Sequence, residues 1–209
     1  MKLKVNRSIP FFLCLTLLGL VSCRPLEQTQ ASTASPEANQ QSSQQSSELF
    51  AVRQNGKLGY IDKTGKIVIA PKFDEVSEFS EGLARVKVGE QYGYIDQTGK
   101  IVVEPQFDDA DDFSEGLAAV EVDKKLGFID KTGKMIIAPQ FDDADEFSEG
   151  LAAVMIQDQW GYIDKAGETV ISPQFDDTEN FSQGLAGVKL GDKWGYIDKT
   201  GKFVWNPTK

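Results

Sequence analysis

The side chains of this chain that could do chemistry are its acids and a set of regularly spaced aromatics. It carries 32 Asp and Glu against 22 Lys and Arg, and no His. Without His, the commonest general base and the usual nitrogen ligand for transition metals are missing. The acids collect in runs: Asp108-Asp109-Ala110-Asp111-Asp112, Asp142-Asp143-Ala144-Asp145-Glu146 and Asp176-Asp177-Thr178-Glu179. Oxygen-rich runs of this kind suit Ca²⁺, which takes about six to eight oxygen ligands. The candidate calcium ligands are therefore Asp108, Asp109, Asp111, Asp112, Asp142, Asp143, Asp145, Asp176 and Asp177. The runs lack the Asp-x-Asp-x-Asp-Gly spacing and distal Glu of an EF-hand loop, and the nonapeptide of calcium β-rolls. Their simpler reading is a solvated face that keeps the chain soluble and caps a turn. Glycoside hydrolysis would need two acids placed unequally around one bond. Here the acids are spread evenly, with no odd insertion, so the chain is expected not to be an enzyme and to need no cofactor.

The aromatics are the second candidate. Leu58, Tyr92, Leu126, Trp160 and Trp194 each precede a Gly, and those glycines lie 34 residues apart. A column with one aromatic per unit could stack sugars, with Tyr92, Trp160 and Trp194 as the candidate residues. Leu at two of the five places fits a bridging core position better than a glycan platform.

These residues sit on a strict period. The stretch Trp160-Gly161-Tyr162-Ile163-Asp164 has counterparts beginning at Leu58, Tyr92, Leu126 and Trp194, with no insertion or deletion between copies. A fixed period in this range marks a stacked or radial repeat architecture. Within each unit the pattern predicts three strands. The first is Leu117-Ala118-Ala119-Val120-Glu121-Val122 and its equivalents, with Ala118, Val120 and Val122 sharing a face. The second is the Gly-Tyr-Ile-Asp stretch. The third is Ile67-Val68-Ile69 and its equivalents, whose unbroken apolar character predicts burial on both faces. A Pro two residues later should stop the ladder.

Turn chemistry supports the division. Asn55-Gly56, Gly89-Glu90 and Gly191-Asp192 suit two-residue hairpins, whereas Asp123-Lys124 and Gln157-Asp158 lack the Gly or Asn that positive φ favours. The Asp-Lys-Thr-Gly-Lys segments predict a three-residue loop with Gly in the left-handed position. Between units, Phe107 to Gly116 places Phe107, Ala110 and Phe113 at spacing three, which predicts a short helical turn capped by Asp and ended by Gly.

The fold class is thus all-β: five tandem 34-residue repeats, each a three-stranded antiparallel meander plus a linker turn. Units start near 49, 83, 117, 151 and 185 and fill residues 49–209. A single meander has nothing to bury its apolar face against, so stability must come from neighbours. An open β-repeat stack is favoured, because 34 residues is short against the ~40–50 of common propeller blades. A five-bladed propeller-like ring is the alternative.

Residues 1–48 read differently. Met1 to Arg7 is basic, and Ile9 to Val21 is an apolar run too short to span a membrane, which fits a secretory signal over 1–22. Leu20-Val21-Ser22-Cys23 resembles the bacterial lipobox, in which the Cys becomes the first mature residue and carries lipid. Residues 23–48 are then a lipidated Cys23 and a Gln/Ser-rich tether with too little apolar surface to order. Removal of 1–22 takes Lys2, Lys4 and Arg7 and no acid, so the net charge moves from −10 to −13. Such a surface repels nucleic acid. Cys14 leaves with the signal, so no disulfide is expected.

Gln159-Trp160-Gly161-Tyr162-Ile163-Asp164 and Lys193-Trp194-Gly195-Tyr196-Ile197-Asp198 resemble the bacterial WG (or KWG) repeat. The resemblance continues through Thr-Gly-Lys, the Ile/Val strand, Pro-x-Phe-Asp and Phe-Ser-x-Gly-Leu-Ala, and covers residues 49–209. It implies a β-rich repeat fold, often on secreted or surface proteins, with no defined activity. The resulting expectation is a lipid-anchored protein of the bacterial envelope, at the outer membrane if the source has two membranes. Its repeats would serve contact with an unknown envelope protein, or alternatively bind cell-wall glycan through the aromatic column.

Overall fold

The computed structural model describes residues 48–206. The signal segment, Cys23, the tether to residue 47 and Pro207 lie outside the described residues. Within them the chain is all-β without a helix, in five antiparallel sheets that match the five repeats.

The first sheet has three strands, β1 (Phe50–Gln54), β2 (Lys57–Ile61) and β3 (Ile67–Phe73). The second has four: β4 (Glu75–Val76), β5 (Leu83–Val88), β6 (Gln91–Asp96) and β7 (Ile101–Phe107). The third repeats this order with β8 (Asp109–Ala110), β9 (Leu117–Val122), β10 (Lys125–Asp130) and β11 (Met135–Phe141). The fourth holds β12 (Asp143–Ala144), β13 (Leu151–Ile156), β14 (Gln159–Asp164) and β15 (Thr169–Phe175). The last holds β16 (Asp177–Thr178), β17 (Leu185–Leu190), β18 (Lys193–Asp198) and β19 (Phe203–Trp205).

The core lies between sheets rather than inside any one of them. Leu117, Ala119, Phe128, Ile137 and Phe141 of the third sheet pack with Ala144 and Phe147 of the next linker. They meet Ala152, Val154 and Ile163 of the fourth sheet. Equivalent clusters fill the other three junctions. At roughly 1.5–3 kcal/mol for each fully buried large apolar side chain, one junction outweighs anything a lone three-stranded meander could gain.

The Gly of the central stretch is fixed by a close approach. β2 pairs with β3 through Leu58↔Phe73 and Tyr60↔Ile69, so Gly59 alone faces three residues of a bulge that contains Pro71. A Cβ on Gly161 would lie 2.5 Å from the Ile171 carbonyl oxygen and 2.6 Å from the Pro173 nitrogen. The proline therefore does not stop the ladder. It sits in the bulge, where no ladder donor is needed, and pairing resumes at Phe73.

Two other expectations are corrected. The linker is not helical. The Asp111 amide donates to the Ala119 carbonyl of the neighbouring strand, and Ser114 bridges Leu117 across a two-residue turn. Glu115 and Gly116 hold φ of 51° and 89° there, the positive pair of a type I′ hairpin. Ladder bonds to the next sheet and burial of Phe113 outcompete a helical turn too short to nucleate. The third strand is also not buried on both faces: Val68, Val102, Ile136, Val170 and Val204 are 37 to 60 % exposed. Neighbouring sheets cover only one side of it.

The Gly-poor hairpins at Asp123-Lys124 and Gln157-Asp158 form nonetheless, with φ between 51° and 64° on non-Gly residues. The three-residue loop is as expected. Asp62 Oδ1 accepts from the Thr64 amide, the Thr64 hydroxyl and the Lys66 amide, and Gly65 has φ 85°.

Candidate interaction surface

Each acidic run begins with an Asp that does a local structural job. Asp74 accepts from Lys57 Nζ at 2.5 Å and from the Gly89 amide at 3.0 Å. Asp142 accepts from Lys125 Nζ and from the Gln157 amide. Asp108 and Asp176 accept from the Asp123 and Gly191 amides. In every copy the carboxylate thereby ties the linker to the first hairpin of the following repeat. The Lys57 and Lys125 hydrogen bonds, with the turn amides, hold Asp74 and Asp142 below the usual carboxylate range.

The second acid of each run turns back on the chain. Asp109, Asp143 and Asp177 each accept from the next amide, those of Ala110, Ala144 and Thr178. Asp111 and Asp145 sit where the linker joins the neighbouring strand, their amides bonded to the Ala119 and Ala153 carbonyls. Asp112 has one buried carboxylate oxygen without a hydrogen-bond partner. Among the described residues, no three acids are placed together to hold a metal ion. The pKa of Glu121 is raised by burial and then by Asp109, Asp108 and Asp143.

The aromatic column is half-buried. Tyr92, Leu126 and Trp160 pack on the edges of three junction clusters, across from Phe107, Phe141 and Phe175. Trp194, at 39 %, is the exposed member. Leu126 holds the same place beside its cluster as Tyr92 and Trp160 hold beside theirs. The structure does not bring Tyr92, Trp160 and Trp194 to a common open platform.

One group of side chains was missed by reading each unit as equivalent. In the second repeat, Tyr92 Oη donates to Glu75 at 3.0 Å, and Lys87 pairs with Glu75 at 3.2 Å. Arg85 and Lys87 also lie 5.4 Å and 4.8 Å from the Tyr92 ring centroid. The signal was visible in principle: Arg85 replaces the Ala or Gly found at 119, 153 and 187.

Among the exposed apolar residues, one β-branched side chain recurs at the same position of every repeat: Val68, Val102, Ile136, Val170 and Val204. Each is the middle residue of the third strand and keeps to the same side of its sheet. Water-facing strand positions carry no packing demand for Val or Ile, yet all five repeats hold one there.

A match to a repeat family agrees with this architecture. The family model described as "WG containing repeat" matches residues 59–92, 92–125, 127–159, 160–194 and 194–207. No curated protein sequence matches the chain. Among solved structures, the chain is similar to a crystal structure of the eukaryotic initiation factor. That match has 14 % identity and TM-score 0.51, over 76 % of this chain and 51 % of that one. It is less similar to the WD40 beta propeller domain of Doa1, at 12 % identity and TM-score 0.41, over 75 % and 64 % of the two chains. The extracellular domain of a B. thetaiotaomicron chain described as a one component system, BT4673, gives 13 % and 0.41, over 77 % and 28 %. The chain spans about half the length of the first of these. At 14 % identity the first of these likenesses is one of fold alone.

Proposed function

The chain belongs to the WG-repeat family, and we propose that it works as a non-catalytic, lipid-anchored repeat scaffold of the bacterial envelope. Its repeats present a surface for protein–protein contact. The observation that carries this reading is the exposed row Val68, Val102, Ile136, Val170 and Val204, one aliphatic residue per repeat. A partner with apolar side chains at matching intervals would bury the row, while the surrounding acids set its charge preference. Anchoring through Cys23 would place the array at a membrane surface, and in a two-membrane cell at the outer one. Photo-crosslinking from position 136 in intact cells tests this. A discrete adduct that disappears when Val102 and Val170 are changed to Ser supports it. No adduct, or one unaffected by those changes, contradicts it.

Glycan binding is the second reading, and the exposure of Trp194 and Trp205 is what favours it. It predicts retention on peptidoglycan that is lost on Trp194→Ala with the fold intact.

A further inference from the structure

The two ends of the array are the unmatched halves of its internal junction. Each junction joins one face of a sheet (face A) to the opposite face of the next (face B). At the first junction, face A supplies Tyr60, Ile69 and Phe73, and face B supplies Ala84, Val86 and Ile95. Phe79 of the linker packs against Tyr60, with ring centroids 4.9 Å apart. Counting by 34, face B of the first repeat is Phe50, Val52 and Ile61, and face A of the fifth includes Tyr196 and Trp205. Phe50 is 44 % exposed, Tyr196 47 % and Trp205 59 %.

One residue on each end face is larger than its internal counterparts. Phe50 stands where Ala84, Ala118, Ala152 and Ala186 stand, and Trp205 where Ile69, Val103, Ile137 and Ile171 stand. Two bulky junction positions also carry polar residues when counted by 34. Gln45 occupies the position of the linker Phe79, and Lys209 that of Phe73. Extra bulk on the end faces thus matches bulk that an end-to-end junction would otherwise lack. A polar contact matches as well. Lys131, Lys165 and Lys199 each donate to the backbone carbonyl fifty residues earlier, at Glu81, Glu115 and Glu149. The next carbonyl in that series is Gln183, and the Lys that continues it on a second copy is Lys63. Lys63 has no ion-pair partner among the described residues.

We propose that the face bearing Tyr196 and Trp205 docks onto the face bearing Phe50, Val52 and Ile61 of a second copy of this chain, continuing the repeat array head to tail. The contact is heterologous, so it builds open chains of molecules or rings rather than a two-fold dimer. It uses the ends of the array, not the Val68–Val204 row, and does not depend on the proposed function.

The test is sedimentation of the full chain in detergent from about 1 µM to about 1 mM, a span that reports weak to moderate association. The wild type should grow with concentration. Phe50→Asp alone and Trp205→Asp alone should each stay monomeric, since each retains one working end. Mixed together they should form a 1:1 dimer that grows no further. Gln183→Glu restores an acid opposite Lys63 and should tighten association a few-fold at low salt. Melting curves confirm that the variants fold, and Ser replaces Asp in any variant whose melting temperature falls. A wild type that remains monomeric throughout overturns the proposal. So does a mixture of folded variants that fails to dimerise, or a single variant that grows like the wild type.

Discussion

Trp160-Gly161-Tyr162-Ile163-Asp164 and Trp194-Gly195-Tyr196-Ile197-Asp198 are the same pentapeptide, folded into the same strand of two successive repeats. Tyr162 is 1 % exposed and Tyr196 is 47 % exposed. Local sequence accounts for the strand in both, and the neighbour accounts for the burial. Tyr162 lies under Phe181, with ring centroids 4.8 Å apart, and its hydroxyl donates to the Glu179 carbonyl at 2.8 Å. Burial pushes that hydroxyl's pKa well above the ordinary range for tyrosine. Tyr196 lies in the last described sheet, and among the described residues no further sheet covers it. Stability in this array is therefore a property of junctions, and the internal junctions carry it.

The contrast can be broken first by truncation. Tyr162→Ala should cost about 3–5 kcal/mol in chemical denaturation, the range for removing a large buried aromatic. Tyr196→Ala should stay within about 0.5 kcal/mol, as surface changes do. Similar losses at the two sites would erase the distinction.

A finer break adds one carbon. Gly161→Ala drives a Cβ into the bulge at Ile171 and Pro173 and should cost about 1–3 kcal/mol or more by overpacking, read as a lower melting temperature. An unchanged melting temperature would show that the bulge yields freely.

Smaller still is the hydroxyl. Tyr162→Phe should lose about 1 kcal/mol, one net hydrogen bond. The third repeat already carries Phe128 at the equivalent site, so Phe128→Leu provides a control that removes ring packing without touching a hydroxyl.

The smallest expected effects are electrostatic. Glu121 has a folded pKa raised by burial and by its acidic neighbours, so its charge opposes folding at neutral pH. That penalty is relieved as the pH falls through its folded pKa, and Glu121→Gln should raise the melting temperature slightly at pH 7. The lowered carboxylates act the other way. The Thr64 hydroxyl and amide hold Asp62 below its unfolded value, and Lys57 does the same for Asp74. Their contribution is present above the unfolded carboxylate pKa and is lost as pH drops through the lowered folded value. Melting temperature against pH for wild type and Glu121→Gln should converge in acid.

Most of the fold was legible in the sequence because the period is strict. Gly-containing turns at Asn55-Gly56 and Asp-Lys-Thr-Gly divide each repeat into its strands without outside help. What eluded that reading depends on neighbours. Phe113 at spacing three from Ala110 imitates a helical stripe, and only the ladder to Ala119 shows it to be extended. Ile67-Val68-Ile69 reads as a strand buried on both faces, yet a one-dimensional array covers one. In the aromatic column Leu126, Tyr92 and Trp160 lie at cluster edges while Trp194 is exposed, a difference set by position in the array and not by the local sequence. The ring Phe50 and the indole of Trp205 are ordinary apolar residues in a list. Only the outermost sheets make their exposure visible.

Amide hydrogen exchange of residues 160–164 and 194–198 tests the junction account most directly, at a concentration where the chain is monomeric. The two segments share one sequence, so local chemistry offers little reason for their rates to differ. The account predicts slower exchange at 160–164, where Tyr162 and Ile163 are buried in junctions on both faces, than at 194–198, which Ile197 ties to one junction only. Equal protection in the two segments would contradict it, because burial between neighbours would then not be what holds the repeats together.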